Sequence, residues 1–418
     1  MLHIPRWTGR LPVVVALLLG ATVAGGRWAA SAPASVAGAH RTPAYEVGLT
    51  SSIASMLTTM HVPGAVVMVR TPSGNYSRAF GTRTVGGTKP IRLGDTFRIG
   101  SNTKTMTGTV ILQLVQEHRL ALTDPISKYV GGVPNGRHIT ITELLDMRSG
   151  LYNYSESLGL NQALDANPAR AFSPGELLKI AFAHEPYFSP NQGYHYSNTN
   201  TVLLGLTIER LTRRPVASAF AARIFRPLGL TRTVFPARRS LALPAPFAHG
   251  YMYGTNVETI STSVLSPAQQ AAANAGTLRP GDQTHGNPSW GWTAGAGISN
   301  GYDLVRYVRA LVGGGLLDPA MQRLRLASVR PVDPRQPNGP EYGLGIAKFG
   351  PLYGHTGELP GYQTFMGYDP VRKITVVVLT SLSAAPDGTP PANVISKLIM
   401  GRIYGPTSVG GSPTTPTQ

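Results

Sequence analysis

The chain has 418 residues, 42% of them hydrophobic and only 14% charged, which suits a folded protein with a sizeable core and excludes a disordered one. It contains no cysteine, which excludes disulfides, thiolate metal sites, a Cys nucleophile and a lipoprotein-type anchor. The formal charge of +17 fits a surface that meets anionic wall polymers or lipid headgroups, or one that merely stays soluble. No nucleic-acid motif accompanies it, and the ten histidines show no metal-ligand spacing, so neither a nucleic-acid partner nor a metal is expected.

Residues 1–39 read as an export signal. Arg6 and Arg10 supply the positive start, Leu11 to Ala24 the apolar run, and Ala37 and Ala39 a small-x-small cleavage site before His40. The run is about 14 residues, short against the roughly 20 that span a bilayer, so a cleaved signal and an extracytoplasmic protein are expected, with an uncleaved anchor as the alternative.

Residues 40–60 predict a first helix, with Ile53, Leu57 and Met60 on one face. Gly64 to Arg70 is a Val-rich strand, and Tyr76 to Val85 its hairpin partner across Ser73-Gly74-Asn75. After a short strand at Thr96 to Ile99, residues 102–119 carry the clearest helical period, through Met106, Val110, Ile111, Leu114 and Val115. Residues 120–240 read as a helical insertion, with segments at 141–147, 175–183, 199–212 and 216–225. A long irregular loop is expected over 254–290, and Asp303 to Val312 returns to helix. Strands follow at Tyr342 to Phe349, Tyr362 to Tyr368 and Ile374 to Leu379, then a last helix at Val394 to Tyr404. The low-complexity tail 405–418 is expected to be disordered. There are no internal repeats. This order predicts an α/β (α+β) fold: one mainly antiparallel sheet joining early and late strands, covered by terminal helices, with the helical subdomain beside it over residues 40–404. A site would fall in the cleft between the two units.

Three short motifs carry chemistry. Ser101-Asn102-Thr103-Lys104 is the only S-x-x-K in the chain and sits where a strand meets the strongest helix. Residues three apart at a helix start share a face, so a hydroxyl and an amine can meet there, next to free backbone N–H groups. Lysine is rare here, seven against thirty arginines, and only lysine can give up its proton and act as a base. Tyr196-Ser197-Asn198 is the only Y-x-N and precedes a helical pattern; the phenol could relay a proton and the amide could orient a substrate. His355-Thr356-Gly357 is the only H-T-G and is expected just before a strand. Each motif alone is also compatible with a helix cap or a simple turn.

Taken together and in this order, the motifs resemble those of the serine β-lactamase and penicillin-binding protein superfamily, in the branch of class C β-lactamases and D-alanyl-D-alanine carboxypeptidases. The surrounding stretches TFRIGSNTKTMTGTVILQLVQEHRLALTDPISKYV, YHYSNTNTVLLG and GHTGELPGYQTFMGYDP are similar to that branch as well. The resemblance implies acylation of Ser101, with Lys104 as base and Tyr196 as proton relay to the leaving group. It implies that Asn198 bonds Lys104 and the substrate, and that the backbone N–H groups of Ser101 and Glu358 form an oxyanion hole. It places His355, Thr356 and Gly357 against the substrate tail, where the family often binds a carboxylate. No cofactor is implied. A D-alanyl-D-alanine carboxypeptidase acting on cell-wall peptides is the leading expectation. An esterase or β-lactamase on a small acyl substrate is the alternative, and a penicillin-binding sensor or scaffold is the non-catalytic one. The motif begins with His355 rather than Lys, which departs from true β-lactamases.

Overall fold

The computed structural model describes residues 43–336 and 338–405. The expected export signal at 1–39, and the expected tail beyond Gly405, lie outside them.

In chain order the helices are α1 (Leu49–Thr59), α2 (Asn102–Gln116), α3 (Ile141–Leu145), α4 (Leu158–Ala166), α5 (Pro174–Phe182), α6 (Asn198–Thr212), α7 (Val216–Phe220), α8 (Pro267–Asn274), α9 (Trp292–Gly295), α10 (Gly301–Gly313), α11 (Pro319–Ala327) and α12 (Pro391–Tyr404). The strands are β1 (Gly64–Thr71), β2 (Gly74–Gly81), β3 (Phe97–Arg98), β4 (Tyr251–Met252), β5 (Gly281–Asp282), β6 (Ile298–Ser299), β7 (Arg330–Pro331), β8 (Glu341–Gly343), β9 (Ile346–Phe349), β10 (Leu352–Leu359), β11 (Tyr362–Asp369) and β12 (Ile374–Thr380). Among the described residues no helix is long and apolar enough to cross a membrane.

The main sheet has eight strands in the order β2-β1-β12-β11-β10-β9-β8-β7, antiparallel at every pairing. Early and late segments meet toward one side of it, where β1, flanked outside by β2, pairs with β12 and Val67 stands opposite Val378. Both strands are near-continuous apolar runs because both of their faces are covered. The period of two divides them cleanly. Val67, Val69, Val376 and Val378 face α1 and α12, packing with Leu49, Ile53, Ile395 and Ile399. Val66, Met68, Val377 and Leu379 face the other way, into a core shared with α10 and α2. That second core continues without a break into α3 to α7, so the helical block has no separate apolar centre.

Local signals explain several helix starts. Thr140 with Glu143, Ser173 with Glu176 and Ser266 with Gln269 form capping boxes at α3, α5 and α8. The last of these corrects the expectation of an irregular loop over 254–290: Pro267 at the first helical position and the Ser266 cap start a helix there. The first helix begins at Leu49, preceded by a short 3-10 turn. The hairpin turns at Pro72-Ser73, with Gly74 already paired to Thr71. The Tyr342 to Phe349 segment is two strands, β8 and β9. His355 to Gly357 lies inside β10 instead of before a strand; two glycines and a polar centre hide the alternation of that strand.

Candidate active site

Gly100 carries the chain from β3 into α2 with φ +51, and a Cβ there would lie 2.5 Å from the Glu358 backbone nitrogen. Only glycine satisfies both the left-handed backbone and the close approach. Ser101 follows as the helix N-cap but makes no side-chain cap bond. Its neighbours secure the helix start instead. Thr103 Oγ1 donates to Gly100 O at 2.7 Å, and Asn102 Nδ2 donates to Ile99 O at 2.9 Å and to Thr364 Oγ1 at 2.7 Å. The Ser101 hydroxyl is thereby left for other work.

Lys104, one turn on, is buried. Its Nζ lies 2.9 Å from Ser101 Oγ, 2.6 Å from Asn198 Oδ1 and 2.9 Å from the Ala294 carbonyl oxygen. No carboxylate forms an ion pair with it among the described residues. Burial without a counter-charge holds its pKa well below the usual lysine range. A neutral amine has two N–H donors and one lone pair. Asn198 Oδ1 and Ala294 O can accept the two donors, which leaves the lone pair aimed at the Ser101 hydroxyl.

Tyr196 and Asn198 enter at the start of α6. The Tyr196 ring lies 4.7 Å from Lys104 Nζ, and burial raises its phenol well above the ordinary value, with the Ser101 hydroxyl opposing the shift. The phenol makes no hydrogen bond of ordinary geometry with the described residues, so the two hydroxyls are neighbours rather than bonded partners. Asn198 is held from behind: its N–H donates to Asn153 Oδ1 at 3.0 Å and its Nδ2 to Ser155 Oγ at 2.9 Å. Ser155 Oγ donates in turn to Asn153 Oδ1 at 3.0 Å.

The third wall is β10. Strand β9 pairs with it only over Leu352 to Gly354. Beyond that point the Ile99–Ser101 turn takes the place of a neighbouring strand. A Cβ at Gly357 would lie 2.0 Å from Ile99 O, so Gly357 permits this approach rather than presenting a group to substrate. The same approach brings the Glu358 nitrogen beside Gly100 and Ser101. The Ser101 N–H has no acceptor among the described residues.

His355 stands beside Thr356 with both ring nitrogens hydrogen-bonded. Its ring is buried, with Nδ1 2.5 Å from Thr356 O and Nε2 3.0 Å from Tyr342 Oη. A carbonyl can only accept, so Nδ1 carries the proton and Nε2 accepts from the tyrosine. Burial above all lowers its pKa to about 3, so the ring is neutral. Thr356 lies beside it, and the two line a cavity of about 140 Å³ together with Tyr196 and Tyr342.

Other aromatic and acidic side chains have packing or bonding partners of their own. Trp290 and Trp292 pack in the core, and the Trp290 carbonyl accepts from Tyr154 Oη. His195 stacks on Tyr187 at 3.7 Å and meets Glu156 at 3.0 Å. Asp124 holds a turn through Lys128 and the Ala121 N–H. Sequence reasoning missed Asn153, Ser155, Tyr342 and the Ala294 carbonyl. The polar run Asn153-Tyr154-Ser155-Glu156 was a signal for the first two, while a backbone carbonyl leaves none.

An antiparallel sheet, a helical block sharing its core, and three motifs converging on one cleft define a hydrolase of the serine β-lactamase and penicillin-binding protein type. The chain belongs to the Beta-lactamase family, whose model matches residues 49–396. Penicillin-binding protein 4* of Bacillus subtilis (strain 168) is 27% identical over 308 residues, 70% of this chain and 62% of that one. A teichoic acid D-alanine hydrolase of Staphylococcus aureus (strain MRSA252) is 30% identical over 173 residues, 40% of each chain. This chain therefore spans less than two thirds of the length of these curated relatives. Among solved structures, a D-stereospecific amidohydrolase from Streptomyces sp. matches with a TM-score of 0.71 and 29% identity, over 86% of this chain and 98% of that one.

Proposed function

We propose that the protein is an acyl-enzyme hydrolase of D-alanyl and related D-aminoacyl bonds, with Ser101 as nucleophile. The observation that carries this reading is the environment of Lys104 Nζ, where two acceptors and one hydroxyl match a neutral amine. In the first half-reaction Ser101 gives its proton to Lys104 while Oγ bonds the substrate carbonyl carbon. The resulting oxyanion sits against the Ser101 and Glu358 N–H groups, where each donor is worth roughly 3 to 4 kcal/mol in the transition state. Tyr196 gives its proton to the leaving amine or alcohol and regains one from Lys104. Water then repeats the sequence on the acyl-enzyme and frees Ser101.

The substrate class rests on two relatives named for D-alanine or D-stereospecific hydrolysis. A carboxypeptidase needs a hold on a terminal carboxylate, and a neutral, fully bonded His355 is a poor one. We therefore rank D-aminoacyl amides and esters ahead of D-alanyl-D-alanine peptides. The penicillin-binding relative keeps the carboxypeptidase as the second reading. On the reading of residues 1–39, the proposed place of action is outside the cytoplasm, where a basic exterior would favour an anionic wall polymer. Amino-terminal sequencing of protein recovered from the medium, expected to begin at His40, tests that placement.

The central test is intact-mass analysis with a fluorophosphonate probe and with penicillin, beside turnover of D- and L-alanine p-nitroanilide. One adduct on the wild type, none on folded Ser101→Ala and preference for the D-substrate are expected. An adduct retained on folded Ser101→Ala would overturn the nucleophile, and L-preference would overturn the substrate class. A stable penicillin adduct with no D-alanyl turnover would favour a sensor.

A further inference from the structure

The main chain of Glu358 belongs to the site just described, but its side chain does not, and that side chain points to the substrate. Beside Ser155, on the far side of the Asn198 amide from Lys104, a cleft of about 530 Å³ opens between Ser155 and the residues following Gly357. Its wall is mixed, with Ser155, Asn161, Thr259 and Ser261 beside Met252, Ile260 and Leu359. Glu358 is the one charged residue that lines it.

The setting makes that carboxylate unusual. The protein carries 37 Lys and Arg against 20 Asp and Glu, yet among the described residues no Lys or Arg pairs with Glu358. Nor does its side chain accept a hydrogen bond from any described residue, whereas Asp95, Glu156 and Glu143 are bonded to arginine, histidine and a backbone N–H. The Glu358 nitrogen lies against Gly100, next to the nucleophile. Glu358 thus connects the turn that carries the nucleophile, through its main chain, with this cleft, through its side chain.

We infer that Glu358 is the specificity-determining residue for the acyl half of the substrate. Its carboxylate receives a primary ammonium on the carbon adjoining the scissile carbonyl, so the preferred substrates are D-aminoacyl amides or esters with a free amino group. Desolvation in the cleft also pushes the Glu358 carboxyl up to about 7, and an arriving cation would restore the charge that the empty cleft disfavours. The inference rests on the acyl-enzyme reading and narrows its substrate class.

The test compares kcat/KM for D-alanine p-nitroanilide with its N-acetyl and N-succinyl derivatives, on full-length wild type, Glu358→Gln and Glu358→Lys. The ratio of free-amine to N-acetyl substrate is the readout, because it cancels any general loss at the neighbouring oxyanion position. A charge-assisted contact predicts a wild-type ratio of about tenfold or more, falling toward one in Glu358→Gln. Glu358→Lys should invert the preference toward the N-succinyl substrate. A wild-type ratio at or below one, or an unchanged ratio in Glu358→Gln, overturns the inference. Fluorophosphonate labelling separates the two readings. Labelled Ser101 with no amine preference removes only the role of Glu358, whereas wild-type protein that labels nowhere removes the acyl-enzyme reading and this inference together.

Discussion

Lys104 Nζ and Asn198 Oδ1 are 2.6 Å apart, and the oxygen belongs to an amide rather than a carboxylate. That single chemical choice keeps the buried amine free of a counter-charge. In Asn198→Asp the same position becomes anionic, which favours the ammonium and raises the Lys104 pKa. Acylation at neutral pH should fall, and the acid-side inflection of its pH–rate profile, where the rate rises as Lys104 loses its proton, should move upward. Rapid-mixing acylation across pH checks this; an unmoved inflection would mean that Lys104 is not the base.

Lys104→Arg should lose about a thousandfold in acylation rate, as should Lys104→Ala, because arginine keeps the charge and cannot take the serine proton. An arginine variant that kept most of its rate would make the residue electrostatic instead. Intact-mass time courses on both variants decide between the two.

The neutral His355 makes a stability prediction. Its folded pKa, about 3, lies below the ordinary 6.5, so the unfolded chain binds more protons between these values. Stability from this group is whole above pH 6.5 and is lost as pH falls toward 3, by about 1.4 kcal/mol per unit. His355→Asn should flatten that acid limb in denaturant titrations at successive pH values. By the same logic, KM for a carboxylate-bearing substrate should show no histidine inflection between pH 5 and 8.

Gly357→Ala places a methyl group where Ile99 O already lies, 2.0 Å from the ideal Cβ. The Ser101 turn and β10 must separate, which widens the gap between the two oxyanion donors. A loss on the order of a hundredfold in kcat with the fold retained is expected, since misplacements near 1 Å have that effect. Steady-state kinetics beside circular dichroism would test it.

Much of the fold could be read from apolar runs. Val66 to Val69 and Val376 to Leu379 announce interior strands, because burial on both faces leaves no polar residue to blur them. Helix α2 was legible because its large apolar residues, Met106, Val110, Ile111 and Leu114, recur with helical period, even though the helix is buried nearly all round. Strand β10 was not, since Gly354 and Gly357 are there to admit neighbouring backbone and carry no side chain to register an alternation. The pairing of Ser101 with Lys104 follows from helical spacing alone. The Ala294 carbonyl does not, because a backbone group acts through position and any residue there could supply it. The state of His355 was hidden for a third reason: the unperturbed imidazole value holds in water, and the burial that removes it is a property of the fold rather than of the local sequence.

The absence of an ion pair at Lys104 separates capture from chemistry in their response to salt. Mobile ions screen exposed charges over about 10 Å at 0.1 M, and they barely enter a buried site. Encounter with a charged polymer or a cationic substrate should therefore weaken as ionic strength rises. The proton transfer from Ser101 to Lys104, tuned by desolvation, should proceed at the same rate in dilute buffer and in brine.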